Sequence, residues 1–277
     1  MQIGFFHIGP LKSGTTWIYE SIKQHSQICA PSKDTIHFFD LHYHKDQDWL
    51  NSWFNCTNND QLIYDPTPSY IRSTVAPERI YQHNPKAKIA LTLREPIERA
   101  FSHYWHEKKK LRYNFSFAEV LQNYDLFCNW IEPGFYATHI ERYLRYFPRE
   151  QLLCQDFSLL RHEPEKFLHE LLRFLEIDTD FSPPTIGGRV NPAGYKINFL
   201  GRAGRRLKGI KKRGGVLGTI TTPLANTAIY LNEQYNLETL DRVDPAVLRE
   251  LAAICEPETK RLEALLDIDL SHWRRYV

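Results

Sequence analysis

The sequence lacks long apolar runs and has no large excess of either charge. Its 277 residues are 42% hydrophobic and 25% charged, close to the averages of folded globular proteins. No stretch approaches the roughly 18 consecutive apolar residues of a membrane-spanning helix, and the first apolar run, 3–8, has neither the basic lead-in nor the cleavage site of a secretory signal. These absences argue against disordered, collagen-like and coiled-coil proteins. They predict a folded protein without a membrane span.

Cysteine is scarce and is never paired in the sequence. The five cysteines are odd in number, far apart and not arranged as C-x-x-C: Cys29, Cys56, Cys128, Cys154 and Cys255. This spacing is unlike that of a disulfide framework or a zinc site. We therefore expect reduced thiols and a cytoplasmic protein.

Acidic residues are missing from one long segment. From Phe181 to Asn232 there is no Asp or Glu, whereas nine Lys and Arg occur there. The formal net charge of the whole chain is only +2, which gives no reason to expect nucleic acid as a partner. Frequent Gly and Pro predict a long mobile basic loop at about 187–215. Such a loop is either a solvated surface or a site for a polyanionic ligand.

Strand and helix patterns alternate along the chain. Apolar runs predict strands at 3–8, 62–64, 88–93 and 152–157, and helical periodicity appears from 16, at 46–54 and 77–83, from 96 towards 111, at 135–147 and at 164–175. This alternation predicts an α/β fold, a three-layer sandwich with a central parallel sheet and a P-loop like that of P-loop NTPases. We expect one domain over 1–277 with a helical C-terminal part at about 222–277, including helices at 246–253 and 260–266. Ligands of such folds bind at the carboxyl ends of the strands.

The loop after the first strand has a composition that suits a phosphate. It reads Gly9-Pro10-Leu11-Lys12-Ser13-Gly14-Thr15-Thr16, and backbone N–H groups at such a strand-to-helix loop can hold an anion. The Walker pattern of nucleotide kinases requires Gly-Lys-Ser/Thr, but here the lysine precedes Gly14. Asp65 is only a weak candidate for a magnesium ligand. The simpler alternative to a ligand site is a helix capped by Ser13 or Thr15.

A second motif follows the strand predicted at 88–93. It reads Leu93-Arg94-Glu95-Pro96-Ile97-Glu98-Arg99-Ala100-Phe101-Ser102, so that Arg94 and Ser102 are eight residues apart. An arginine at a strand end offers a bidentate fork to a phosphate, and a serine two turns into the next helix can add a hydroxyl. Taken alone, an arginine in the position of Arg94 is more often a salt-bridge partner, and a serine in the position of Ser102 is more often a helix-surface residue.

Together these motifs resemble the phosphosulfate loop and the 3'-phosphate motif of sulfotransferases that use 3'-phosphoadenosine 5'-phosphosulfate. The similarity extends over most of the chain and is strongest to the heparan-sulfate-type branch and its bacterial relatives. Further matching segments are Ile36-His37-Phe38-Phe39-Asp40, Asp65-Pro66-Thr67-Pro68-Ser69-Tyr70 and Asp269-Leu270-Ser271-His272-Trp273.

The resemblance implies an enzyme that moves a sulfuryl group by in-line displacement and releases adenosine 3',5'-bisphosphate. The acceptor is then a hydroxyl of a small molecule, a lipid or a glycan, and no metal is required. The implied donor-binding residues are Lys12, Ser13, Gly14, Thr15, Thr16, Trp17, Arg94 and Ser102. We add Lys196 and Arg202 from the basic loop, which is similar to that of the family only in being basic.

Two positions depart from the family pattern. Glycan-sulfating members carry a glutamate, which serves as the general base, immediately before the segment that matches 36–40; Thr35 stands there and is a poor proton acceptor. We predict His37 as the base, with Asp34 in reserve, because histidine titrates near neutrality and shares a face with Thr35 if the segment is extended. Lys12 is predicted to offset charge on the leaving oxygen. The second departure is Pro66, where those relatives place a lysine, which weakens the case for a polysaccharide acceptor.

Other readings of the same residues stay open at this point. A lone histidine among aromatic residues is as often a core residue as a base, and Asp40 can either orient His37 or cap the next segment. A metal site at His37, His42 and His44 lacks a carboxylate or cysteine complement. The competing functions are a P-loop nucleotide kinase and a non-catalytic module that binds nucleotides or polyanions.

Overall fold

The computed structural model describes residues 1–109, 115–186 and 240–276. In these ranges, parallel strands form a five-stranded sheet with the spatial order β2-β3-β1-β4-β5. The strands are β1 (Phe5–His7), β2 (Ile28–Cys29), β3 (Leu62–Asp65), β4 (Lys88–Leu93) and β5 (Leu152–Asp156). The parallel sheet predicted from the alternating pattern is confirmed.

The helices, numbered in chain order within the described ranges, run mostly where the periodicity predicts them. They are α1 (Thr15–Ile22), α2 (Gln47–Asn51), α3 (Ala76–His83), α4 (Pro96–Lys109), α5 (Tyr124–Trp130), α6 (Tyr136–Leu144), α7 (Phe157–His162), α8 (Pro164–Leu175) and α9 (Pro245–Leu266). The two helices predicted at 246–253 and 260–266 are one continuous helix, α9. Short 3-10 helices lie at 70–72, 117–121, 132–134, 149–151, 240–242 and 271–273.

Helices cover both faces of the sheet. Successive residues of a strand point to opposite faces, so Phe5 packs in the cluster formed with α1 and α8. Phe6 packs in the other cluster, with α3, α6 and the C-terminal half of α9. The three-layer arrangement is therefore confirmed, and a further apolar cluster joins α4, α5 and the first half of α9.

The strand order brings several loops to one edge of the sheet. Because β1 lies between β3 and β4, and β4 pairs with β5, the segments that follow these four strands are neighbours. Backbone hydrogen bonds continue the pairing past the strands, from Thr92 N to Gly9 O (3.0 Å) and from Ile71 N to Ile8 O (3.1 Å). Both predicted phosphate motifs and the turn at 65–70 meet at this edge.

One expectation about the cysteines is wrong. Cys29 and Cys56 form a disulfide, with Cα atoms 5.2 Å apart. The pairing of β2 with β3 and the bridge between Pro31 and Phe54 bring these two residues together. Spacing in the sequence gave no sign of this contact because it arises from the tertiary fold. The cytoplasmic location, which depended on reduced thiols, stays a prediction.

Several other expectations stay open after the fold is described. Lys196, Arg202, the basic loop at 187–215 and the first part of the C-terminal region at 222–239 lie outside the described residues, as does the predicted end of α4 at residue 111. The assignment of 1–277 to one domain is still a prediction. Within the described ranges, no helix combines the length and the apolar character needed to cross a membrane.

Candidate active site

The loop after β1 passes close to the turn that follows β3. Gly9 and Gly14 have φ values of 108° and 83°, and Lys12, which is not a glycine, has a φ of 75°. A Cβ atom on Gly9 would lie 2.1 Å from the carbonyl oxygen of Pro68. Only glycine therefore allows the two segments to approach this closely.

The end of this loop leads into α1 without a side-chain cap. Gly14 is the N-cap residue, and neither Ser13 nor Thr15 caps the helix. The Oγ atom of Ser13 is fully buried and has no hydrogen-bond partner among the described residues. Buried hydroxyls are nearly always paired, and the N–H groups of the first helical turn, which includes Thr15 and Thr16, have no partner within the helix. This arrangement fits an anionic ligand.

Trp17 differs from its neighbours in the loop. Its indole Nε1 donates to the carbonyl oxygen of Thr185 (3.1 Å), and its ring packs edge-on against Phe167 in the core. The side chain is only 7% exposed. Its described contacts are those of a packing residue, and the predicted role of Trp17 in binding the donor stays a prediction.

Arg94 links β4 to the loop after β1. Its Nη1 donates to the carbonyl oxygen of Lys12 (2.8 Å), and its guanidinium carbon lies 4.7 Å from the ring centre of Phe157. The Nη2 atom of Arg94 lies 3.6 Å from Oε2 of Glu98, so Arg94 is also a salt-bridge partner. The Nε atom has no partner within the described residues. Arg94 thus keeps one buried donor available for a ligand.

Burial sets the electrostatics of Arg94. It lowers the pKa of the guanidinium, an effect that the carboxylate of Glu98 opposes and the positive charge of Arg161 increases. Arginine nevertheless remains charged at neutral pH. A buried cation that has another cation nearby is stabilised by an anion, which is the chemistry that a phosphate supplies.

Ser102 lies in α4 and is 4% exposed, so it is not a helix-surface residue. Within the described part of the chain, its hydroxyl does not form a hydrogen bond with Arg94. The backbone of Arg94 is instead held by Tyr136, whose hydroxyl accepts from its N–H (3.3 Å) and donates to its carbonyl oxygen (2.7 Å). The fold brings Arg94 to the loop of Lys12, whereas a shared phosphate between Arg94 and Ser102 stays a prediction.

His37 lies beside the turn at 65–70. Its Nδ1 atom is 3.2 and 3.3 Å from the two carboxylate oxygens of Asp40 and 3.1 Å from the Oγ atom of Ser69. The Ser69 hydroxyl donates to Asp40 (2.6 Å). A carboxylate only accepts, and the proton of Ser69 is already used, so we assign the proton between these groups to Nδ1 of His37. Neutral His37 then has its free lone pair at Nε2.

The Asp40 carboxylate makes His37 a stronger base. Its hydrogen bond raises the pKa of His37 above the ordinary histidine value, although partial burial opposes the shift. Burial disfavours the charge of Asp40, but hydrogen bonds from His37 and Ser69 outweigh it and lower the pKa of that carboxyl. Asp40 also accepts from Leu41 N (2.8 Å). The cap of the next helix, α2, is Asp46, so of the two expected roles Asp40 has that of orienting His37. The side chain of His37 is 32% exposed, unlike that of a core histidine.

Asp34, the reserve base, and its neighbour Thr35 precede a segment that lacks the expected extended conformation. The extended segment assumed for 35–37 is not present at His37, which has a φ of 59°. The expectation that Thr35 and His37 share one face of an extended segment is therefore wrong. Asp34 and Thr35 are half-buried, and within the described residues their side chains form no hydrogen bond.

Asp65, the weak candidate for a magnesium ligand, has both of its carboxylate oxygens hydrogen-bonded to protein groups. Asp65 is completely buried, and its two oxygens accept hydrogen bonds from Thr67 and Tyr70. In the described ranges, no three His, Cys, Asp or Glu side chains group in a way that could hold a metal ion. His42 and His44 have their ring centres 6.2 Å apart. A reaction without metal stays a prediction.

Two motifs suited to anions and a histidine–carboxylate pair thus lie at one edge of the sheet. Similarity to known proteins decides which family the chain belongs to. Residues 4–189 match the sulfotransferase domain family. The chain belongs to this family. Its sheet and helices also agree with the crystal structure of a sulfotransferase from Alicyclobacillus acidocaldarius, with a TM-score of 0.71, 24% identity, and coverage of 99% of this chain and 100% of that chain. That likeness concerns the fold.

Similar curated proteins are much longer than the matched region. Bifunctional heparan sulfate N-deacetylase/N-sulfotransferase 1 of Mus musculus is 37% identical over 194 residues, covering 61% of this chain and 21% of the relative. Bifunctional heparan sulfate N-deacetylase/N-sulfotransferase 3 of Homo sapiens is 35% identical over 192 residues, covering 62% and 22%. The chain thus spans about a fifth of the length of these relatives.

Three contacts of the site could not be found by reading the sequence. Ser69 touches His37 from 32 residues away, Phe157 faces Arg94, and Thr67 binds the backbone at 36–37. Ser69 and Thr67 belong to a segment that resembles the family, which marks their positions but not their partners. Phe157 carried no such signal, because only the pairing of β4 with β5 brings it to Arg94.

Proposed function

We propose that this sulfotransferase transfers the sulfuryl group of 3'-phosphoadenosine 5'-phosphosulfate to a hydroxyl of an acceptor. The proposal rests on one observation above all, the hydrogen bond from Arg94 to the carbonyl oxygen of Lys12. It joins the two anion motifs, as a ligand with phosphates at both ends of one nucleoside requires. The buried Oγ of Ser13 and Nε of Arg94, which have no hydrogen-bond partner among the described residues, add donors to the same region.

The proposed reaction is a single displacement at sulfur. The acceptor oxygen forms a bond to sulfur while the bond from sulfur to the bridging oxygen breaks, and the bisphosphate leaves with that electron pair. Nε2 of His37 accepts the proton of the acceptor hydroxyl, and Asp40 stabilises the imidazolium that results. The charge of Lys12 offsets the negative charge on the bridging oxygen, and backbone N–H groups of the loop at 9–14 assist. Asp34 is the alternative base.

The acceptor class is tested by comparing hydroxyl acceptors with amine acceptors. The names of the relatives refer to N-sulfotransferases, which makes an amine the alternative to a hydroxyl. A screen with donor labelled in the sulfuryl group should compare phenols, aliphatic alcohols, glycans and amines. Label transferred to a hydroxyl supports the proposal, whereas label transferred only to amines would make the acceptor an amine. Label transferred to no acceptor, with tight bisphosphate binding, favours the non-catalytic module.

The donor assignment has its own test. Adenosine 3',5'-bisphosphate should raise the melting temperature more than ADP does, because only the former offers a 3'-phosphate to Arg94 and Ser102. Equal stabilisation by the two nucleotides would remove the assignment. Transfer should continue in excess EDTA; loss of transfer with rescue by magnesium and ATP would favour the nucleotide kinase. A cytoplasmic location and the lack of a nucleic acid partner remain predictions.

A further inference from the structure

A buried carboxylate lies beneath the backbone of His37. Asp65 ends β3, and Asp65, Thr67 and Tyr70 are each 0% exposed. One oxygen of Asp65 accepts from the N–H (3.0 Å) and the hydroxyl (2.5 Å) of Thr67, and the other accepts from the hydroxyl of Tyr70 (2.9 Å). We call these three residues the Asp65 cluster.

The two hydroxyls of the cluster hold the main chain on both sides of His37. The Oγ1 atom of Thr67 accepts from the N–H groups of Ile36 (2.9 Å) and His37 (3.3 Å). The hydroxyl of Tyr70 accepts from the N–H of Phe39 (3.2 Å). Each hydroxyl has a single proton, and it goes to Asp65. Its lone pairs must therefore point to the backbone N–H groups, which fixes the direction of these bonds.

The conformation that these bonds maintain is unusual. His37 has a φ of 59°, in the left-handed region that residues with a Cβ seldom adopt unless their surroundings impose it. In this conformation the ring lies against Asp40 and Ser69, with Nε2 on the other side. A change in φ would swing the ring away from both partners.

We propose that Thr67 is a positioning residue for His37, supported by Asp65 and Tyr70, and that it acts through the backbone rather than by touching the acceptor. This inference rests on the proposed function, because it gives His37 the role of general base. Displacement of a reacting group by about 1 Å can cost on the order of 100-fold in rate. The cluster therefore bears on turnover more than on donor binding, since the loop at 9–14 and Arg94 lie outside it.

The test compares two substitutions at one position. Thr67→Val keeps the shape but removes the hydroxyl, and Thr67→Ser keeps the hydroxyl. We expect Thr67→Val to lower kcat by about 10- to 100-fold while the Kd of adenosine 3',5'-bisphosphate changes little, and Thr67→Ser to restore most of the turnover. Thr92→Val is the matched control, because Thr92 is also fully buried and its hydroxyl contacts His7 instead.

Two further readouts separate positioning from simple destabilisation. On a His37→Ala background, Thr67→Val should cause no further loss of kcat, because the two changes remove the same contribution. By NMR, the pKa of the His37 ring should fall toward its ordinary value in Thr67→Val and stay raised in Thr92→Val. If Thr67→Val does not fold, Tyr70→Phe removes the other hydroxyl and takes its place in both measurements.

The outcomes distinguish this inference from the proposed function. Full turnover by Thr67→Val, or a further loss on the His37→Ala background, overturns the positioning role alone. Wild-type turnover by His37→Ala overturns the base and the positioning role together, but not sulfuryl transfer. A wild type that binds the bisphosphate and transfers label to no acceptor overturns the proposed function and, with it, this role.

Discussion

At the scale of single residues, the charge of Asp40 determines how His37 responds to pH. A base must be unprotonated to act, and the pKa of His37 lies above its ordinary value chiefly because of the hydrogen bond to Asp40. We therefore expect kcat to fall as the pH drops through this raised pKa, and to be constant above it until another group titrates. Asp40→Asn should move that acidic limb to lower pH and reduce kcat. The pH profiles of kcat for the two proteins measure this, and an acidic limb that does not move would rule out His37 as the titrating base.

Lys12 should act on the reaction rather than on binding. The group that Arg94 contacts in Lys12 is its backbone carbonyl oxygen, which Lys12→Ala retains. The lost ammonium matters most when the bridging oxygen becomes an anion, and removal of one such donor typically costs on the order of 100-fold in rate. Kinetics and bisphosphate titration of Lys12→Ala, with the exposed Lys45→Ala as control, measure the two effects. Equal losses in kcat and in affinity would make Lys12 a binding residue.

At the scale of elements, α7 is the support of Arg94. Asp156 caps this helix by accepting from Ser158 N, and it also accepts from the side chains of His272 and Trp273 near the C-terminus. The first residue of the helix, Phe157, faces the guanidinium of Arg94. The C-terminal segment thus helps to hold the end of β5, and with it Phe157, against Arg94.

The register of α7 places a second cation, Arg161, near Arg94. Arg161 is four residues after Phe157 and so lies on the same face of the helix, next to Leu160, which packs against Gly14. Arg161 is exposed, forms no ion pair within the described residues, and its charge acts on Arg94. We expect Arg161→Ala to weaken bisphosphate binding by about 2- to 5-fold, the range of a solvent-screened charge contact. Titration at two salt concentrations measures it, with the exposed Lys166→Ala as control; equal affinity in wild type and Arg161→Ala would contradict it.

Elements with a strong period were predictable and short ones were not. The strand at 88–93 and the helix at 164–175 have the predicted bounds, because long apolar patterns are distinctive. The two residues of β2 are too few to form a pattern. The two helices predicted at 246–253 and 260–266 are a single helix, because α9 continues through Pro257. At the site, motifs after strands placed Lys12 and Arg94 at one sheet edge, whereas contacts between distant segments required the fold.

At the scale of the whole molecule, the Cys29–Cys56 disulfide closes the segment that contains His37. The two cysteines are 27 residues apart, and closing a loop of this length stabilises a fold by on the order of 3 kcal/mol through the unfolded chain. Lys12 and Arg94 lie outside the closed segment, and the Asp65 cluster lies at the end of the next strand and in the turn that follows it. The disulfide should therefore stabilise the fold and the surroundings of His37 more than the donor site.

Replacing both cysteines tests this expectation. Cys29→Ser with Cys56→Ser should lower the melting temperature and reduce kcat, with a smaller change in bisphosphate affinity. Dithiothreitol should lower the melting temperature of the wild type to that of the double variant and leave the double variant unchanged. Cys128→Ser is the control, because Cys128 is a free, half-buried thiol. Calorimetry with and without reductant measures the difference, and equal melting temperatures for the oxidised and reduced wild type would mean that the bond contributes nothing to the stability of the fold.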